Sequence, residues 1–179
     1  EFSNILKNIF KRNKKNFFIF LNLFIFFIFL FVSQIYIFLS GEFENKQNIF
    51  LFILLICIFT DIGGYIFGKI FKGKKLTKIS PNKTISGSLG SFIFSLFSIV
   101  ILWFADRNYV TDNYLKLISV CLFLCLICQL GDLFISYFKR KANVNDTGSI
   151  LPGHGGFLDR IDGVIFVLPA AYIIDKIFF

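Results

Sequence analysis

The sequence predicts an all-α protein: a polytopic integral membrane bundle of about five transmembrane helices, one membrane domain over 1–179, with its N-terminus in the cytoplasm. Three observations carry that expectation. Of the 179 residues 56% are apolar and 20% aromatic, against roughly 45–50% apolar in soluble domains, and the excess lies in phenylalanine and isoleucine runs rather than in an amphipathic pattern. The runs approach the roughly 17–25 residues that a helix needs to cross the hydrocarbon layer. The positive charges, finally, are unevenly distributed between alternate connections, as they are when one set of loops stays in the cytoplasm.

The expected spans are 16–39, 49–71, 85–104, 114–138 and 163–179. The first is too long, and too poor in small residues at its end, to read as a signal peptide. The third is only weakly apolar at its start, and the fifth carries Pro169 and Asp175, which predict a tilted, kinked or short helix. Lys7, Lys11, Arg12, Lys14 and Lys15 precede the first span, six lysines lie between Lys69 and Lys83, and Lys139, Arg140, Lys141 and Arg160 follow the fourth span. Together they make 15 of the 19 basic residues. This sidedness places the loops 72–88 and 139–163 in the cytoplasm, and accounts for the net charge of +8 without nucleic acid, because the aromatics lie in the spans rather than among the lysines. The absence of methionine predicts that Glu1 is not the natural start.

Polar residues inside spans are costly and need a reason. Asp61 and Asp132 both fall in the cytoplasmic halves of their helices, at comparable depth. Asp61, Gly64, Tyr65 and Gly68 share one helix face; Cys121, Cys125, Cys128, Asp132, Ser136 and Lys139 share another. Small residues on such faces are commonly packing surfaces, whereas intramembrane carboxylates mark ion, proton or substrate sites. The Cys-x3-Cys-x2-Cys spacing lies within a continuous apolar helix and reads as small buried residues rather than as an iron–sulfur loop. Both cytoplasmic loops mix cations with glycine, serine, threonine and proline, the composition of a loop that cradles phosphates.

From Gly131 the chain runs GDLFISYFKRKANVNDTGSILPGHGGFLDRIDG. This resembles the signature of the CDP-diacylglycerol synthase (phosphatidate cytidylyltransferase) family: Ser-x-x-Lys-Arg, four residues, Lys-Asp-x-Gly, three residues, then Pro-Gly-His-Gly-Gly-x-x-Asp-Arg-x-Asp. Ser136, Lys139, Arg140, Asp146, Gly148, Pro152, Gly153, His154, Gly155, Gly156, Asp159, Arg160 and Asp162 match. Asn145 departs from the pattern, standing where the family usually has lysine. A second block, DIGGYIFGKIFKGKK followed by ISPNKTISGSLG, is similar to the family's upstream segment, so the resemblance covers the chain from about Thr60 onward. Many members carry further N-terminal spans.

The resemblance implies transfer of a cytidylyl group from CTP to phosphatidic acid, giving CDP-diacylglycerol and pyrophosphate at the cytoplasmic face of a bacterial inner membrane. The alternatives are a CTP-dependent membrane lipid kinase and an inactive relative of the synthase. The partners implied are CTP, phosphatidic acid and membrane lipid, with a homodimer allowed and no nucleic acid. A lipid phosphate is already anionic, so the difficulty lies in bringing two polyanions together, which calls for divalent metal and cations. Hard oxygen ligands suit Mg2+, and the implied set is Asp132 and Asp146 with Asp159 or Asp162. The other role for Asp159 and Asp162 is pairing with Arg160 or capping the last helix. Lys139, Arg140 and Arg160 are expected on phosphates, with Lys83 and Thr84 from the earlier loop and Asp61 and Ser136 lining the substrate site. Gly153, Gly155 and Gly156 would allow close backbone approach, and His154 would donate a proton or a hydrogen bond to the departing pyrophosphate.

Overall fold

The structure is a computed structural model that describes residues 1–11, 14–39, 46–77, 79–105, 114–148 and 155–178. The described elements are α1 (Phe2–Ile9), α2 (Lys14–Leu39), α3 (Lys46–Phe71), α4 (Ile85–Ser95), α5 (Phe97–Ala105), α6 (Tyr114–Lys141), α7 (Leu158–Ile161) and α8 (Val164–Phe178). Four stretches are long and apolar enough to cross a membrane: Lys14–Ile37, Asn48–Phe71, Ile85–Ala105 and Tyr114–Lys141. The fifth expected span forms α8, a helix of 15 residues with Pro169 inside it.

The third span is two helices in succession, separated at Leu96. The carbonyl of Ser95 accepts from the Ser98 hydroxyl at 2.6 Å and from the Cys121 thiol at 3.2 Å. Side-chain donors of this kind compete with the helix ladder for its carbonyls.

Helix α1 was not expected from the hydropathy runs, because it is short and carries only one apolar face. Phe2, Ile5 and Leu6 are buried, and they pack with Phe138, Ala142, Leu158 and Ile165. A second apolar cluster joins α3, α5, α6 and α8 through Phe52, Ile56, Leu102, Cys121, Leu124 and Leu168. All four cysteines are buried free thiols, in keeping with their reading as small packing residues. Around this interior large side chains such as Phe18, Phe26, Phe29 and Phe104 are exposed, as a lipid-facing surface requires.

Helices α3 and α4 pack backbone against backbone. A Cβ placed on Gly63 would lie 2.6 Å from the Gly90 carbonyl oxygen, and one on Gly87 would lie 2.7 Å from that of Gly64. Absence of side chains lets the two backbones meet, and that contact narrows the base of a cleft between α3, α4 and α6.

Candidate active site

The loop after α3 turns back on itself. Leu76 N–H donates to the Lys83 carbonyl at 2.8 Å and Ile85 N–H to that of Lys74 at 2.9 Å. Thr84 then caps α4, its hydroxyl oxygen accepting from the Gly87 amide at 3.0 Å, which satisfies one of the free donors at a helix start. Lys83 is thereby held over α6, where its ammonium pairs with the Asp132 carboxylate.

Lys83 and Asp132 line the cleft between α3, α4 and α6, which has a volume of about 290 Å³, together with Asp61, Tyr65, Thr84 and Gln129. Asp61 is near enough to Asp132 and Lys83 to feel both charges. The deep end is polar. Ser88 donates to Gln129 Oε1 at 2.5 Å, the Gln129 amide to Cys125 Sγ at 3.4 Å, the Thr60 hydroxyl to the same sulfur at 3.3 Å, and Ser91 to the Thr60 carbonyl at 2.7 Å. This group was not singled out from the sequence. Its signal was present in Gln129, four residues beyond Cys125 on the same helix face.

Asp132 is also the hub on the α6 side. Ser136 donates to its Oδ1 at 3.3 Å, and Asp162, from the turn before α8, lies beside it. Burial, with the neighbouring Asp132 charge, pushes the Asp162 carboxyl up to about 8. Among the described residues no three carboxylate, histidine or cysteine side chains are gathered tightly enough to enclose a metal ion. A pair of facing carboxylates is what Mg2+ commonly takes from a protein, the remaining positions going to water and substrate phosphates. The donor chemistry of Asp132 and Asp162 therefore fits a hard divalent cation.

The signature loop begins where α6 ends. Asn143, at φ 57°, ends the helix in a left-handed residue, with Val144 N–H on the Lys139 carbonyl and Asn143 N–H on that of Arg140; asparagine tolerates this conformation better than most residues. Asp159 anchors the loop from its far end. Its Oδ1 accepts from Lys139 Nζ at 2.8 Å, and its Oδ2 from the Thr147 amide at 2.9 Å, the Thr147 hydroxyl at 3.0 Å and the Gly156 amide at 3.1 Å. Burial opposes ionisation here, but Lys139 and the Thr147 donors outweigh it and hold this carboxyl below the usual range.

The expected site residues thus divide into groups. Asp61, Lys83, Thr84 and Asp132 line the cleft, with Ser136 bonded to Asp132 and Asp162 beside it. Lys139 and Asp159 engage each other. Asp146 is exposed and packs against Gly155, where a Cβ would lie 3.4 Å from its carboxylate and where φ is +81°. Arg140 reaches from α6 to the Ile79 carbonyl of the earlier loop at 3.4 Å and to Asn145 Oδ1 at 2.5 Å. Arg160 lies exposed on α7. Gly153 and His154 lie outside the described residues.

Comparison with known proteins agrees with the motif. The model of the cytidylyltransferase family matches residues 2–178. The chain is similar to the phosphatidate cytidylyltransferase of Rickettsia typhi, 42% identical over 144 residues, covering 78% of this chain and 63% of that protein. It is also similar to that of Staphylococcus haemolyticus, 48% identical over 126 residues, covering 69% of this chain and 47% of that protein. The chain therefore spans about half to two thirds of the length of these relatives.

Proposed function

The chain belongs to the cytidylyltransferase family, and from that premise we propose that it transfers the cytidylyl group of CTP to phosphatidic acid. A phosphate oxygen of the lipid attacks the α-phosphorus of CTP, the bond from that phosphorus to the β-phosphate bridging oxygen breaks, and pyrophosphate leaves. No proton has to be removed from the nucleophile, since a phosphomonoester is already anionic near neutral pH. The reading rests chiefly on one observation: Lys83 pairs with Asp132 in the cleft between α3, α4 and α6, and Asp162 of the signature lies beside that Asp132.

In this reading Asp132 and Asp162 would hold Mg2+, with Asp146 available from the loop. When bound, the ion supplies positive charge between two polyanions that otherwise repel. Asp159 is better read as the anchor of the loop, because both of its oxygens are already engaged. Lys83, paired with Asp132, would bind and orient phosphate oxygens. Arg140 ties the two loops together, and Arg160 and His154 remain candidates for contact with the pyrophosphate. The membrane is that of a bacterium, with the cleft facing the cytoplasm, where CTP is made; the lysine and arginine asymmetry supports that side. A homodimer belongs to the same reading, and the particle mass in lipid nanodiscs tests it.

The experiment is pyrophosphate release by the purified full-length protein in phosphatidic acid-containing micelles, with CTP and Mg2+ omitted in turn. CDP-diacylglycerol and pyrophosphate should appear together and only in the complete mixture. CDP as the nucleotide product would identify a lipid kinase instead, and no product with any nucleotide would identify an inactive relative.

A further inference from the structure

We propose that Glu1 is a positioning residue of the site: delivered by the docked helix α1, its carboxylate clamps the two ends of the glycine-rich segment between Thr147 and Leu158. The clamp is visible in the hydrogen bonds. Glu1 Oε1 accepts from the Phe157 amide at 3.0 Å, and its Oε2 from the Leu158 amide at 2.8 Å and the Thr147 hydroxyl at 3.2 Å. The notch that receives the carboxylate exists because two residues lack side chains. A Cβ on Gly148 would lie 2.7 Å from Glu1 Oε1, and one on Gly156 would lie 2.9 Å from Oε2.

The carboxylate is held by a rigid mount. Phe2 stacks on Phe24 with ring centroids 3.9 Å apart and meets Phe138 at 5.4 Å, while Ile5 and Leu6 are buried in the same cluster as Ile135, Leu158 and Ile165. Phe138 lies one residue before Lys139, so the helix that carries Glu1 and the helix that carries the Asp159 partner share one packed face.

Thr147 connects the two carboxylates. Its single hydroxyl hydrogen has Glu1 Oε2 and Asp159 Oδ2 within reach, at 3.2 and 3.0 Å. Asp159 binds the amides of Thr147 and Gly156, Glu1 those of Phe157 and Leu158, and the base of the loop is stitched from both sides. Thr147, Gly156, Phe157 and Leu158 are thereby fixed at the two ends of the glycine-rich segment. Fixing loop ends before a ligand arrives lowers the ordering cost of binding. The amides taken by Glu1 are at the same time withheld from phosphate.

The inference rests on the nucleotidyl-transfer reading, and its test has one readout that does not. Glu1→Ala and Glu1→Gln are made in the full-length protein, and amide exchange over 147–158, Tm, and KM and kcat for CTP are measured. Glu1→Ala should speed exchange at Phe157 and Leu158 about tenfold and raise KM for CTP about tenfold, with kcat and Tm close to wild type. Glu1→Gln, whose amide oxygen still accepts, should recover part of both effects. Unchanged exchange overturns the clamp, and so does a fall in Tm with KM unmoved, which would make Glu1 a packing residue only. Wild-type protein that releases no pyrophosphate would overturn the transfer reading, while the exchange result still decides the clamp.

Discussion

Lys139 Nζ lies 2.8 Å from Asp159 Oδ1, and the ion pair joins the end of α6 to the short helix α7 across 20 residues of chain. The carboxyl is held below its usual range by this partner and the Thr147 donors, against the cost of burial. A carboxyl with a depressed folded pKa stabilises the fold fully above its unfolded value, about 3.9, and loses that contribution as pH falls through the folded value. The loop base should therefore loosen at acid pH, below about pH 4. Asp159→Asn should cost about 1–3 kcal/mol at pH 7, the range for a lost charged hydrogen bond in a partly buried site, and flatten the acid limb. Thermal unfolding of both proteins from pH 3 to pH 7 checks this; parallel profiles would remove the anchor role.

Asp132 pairs with Lys83, accepts from Ser136 and lies beside Asp162. Asp132→Asn keeps the size of the side chain and halves its acceptor capacity. Activity should drop at least about 100-fold and respond weakly to added Mg2+, while the elution profile and helical content stay as in wild type. Near-normal turnover would move the metal to other carboxylates.

Lys83 is brought to the cleft by the backbone pairing of its loop, not by its own helix. Lys83→Gln removes the charge and keeps much of the length. KM for CTP should rise about tenfold, the scale of one lost charge-assisted contact, with Tm within a degree or two of wild type. A large fall in Tm at unchanged KM would show that the lysine serves only to neutralise Asp132.

Gly87→Ala tests the packing beneath the site. The new methyl would meet the Gly64 carbonyl oxygen at 2.7 Å, and a backbone atom on a packed helix cannot swing aside. Overpacking of this kind costs about 1–3 kcal/mol. The loss should appear as a lower Tm, with reduced activity because the α3–α4 wall of the cleft shifts. Leu89→Ala, at an exposed position of the same helix, should leave Tm nearly unchanged.

The membrane character, the positions of the long spans and the identity of the signature were legible in the sequence because each depends on local pattern alone. An apolar run of spanning length must become a helix in lipid, since its backbone polar groups have no other partners. Asp61 and Asp132 stood out for the same reason, as charges in segments that exclude charge. What each acidic residue does was decided by tertiary structure. Asp159 and Asp162 lie three residues apart on one short turn, and the folds around them separate their roles: Asp159 faces Lys139 and two backbone amides, Asp162 faces another carboxylate. Sequence spacing cannot distinguish them, because the partners come from α6, from Thr147 and from Gly156, brought together only when the chain closes. Glu1 is the extreme case. Nothing about an acidic residue before a short amphipathic helix indicates a partner 156 residues away, and only the burial of Phe2, Ile5 and Leu6 against α6 and α8 places its carboxylate at the loop.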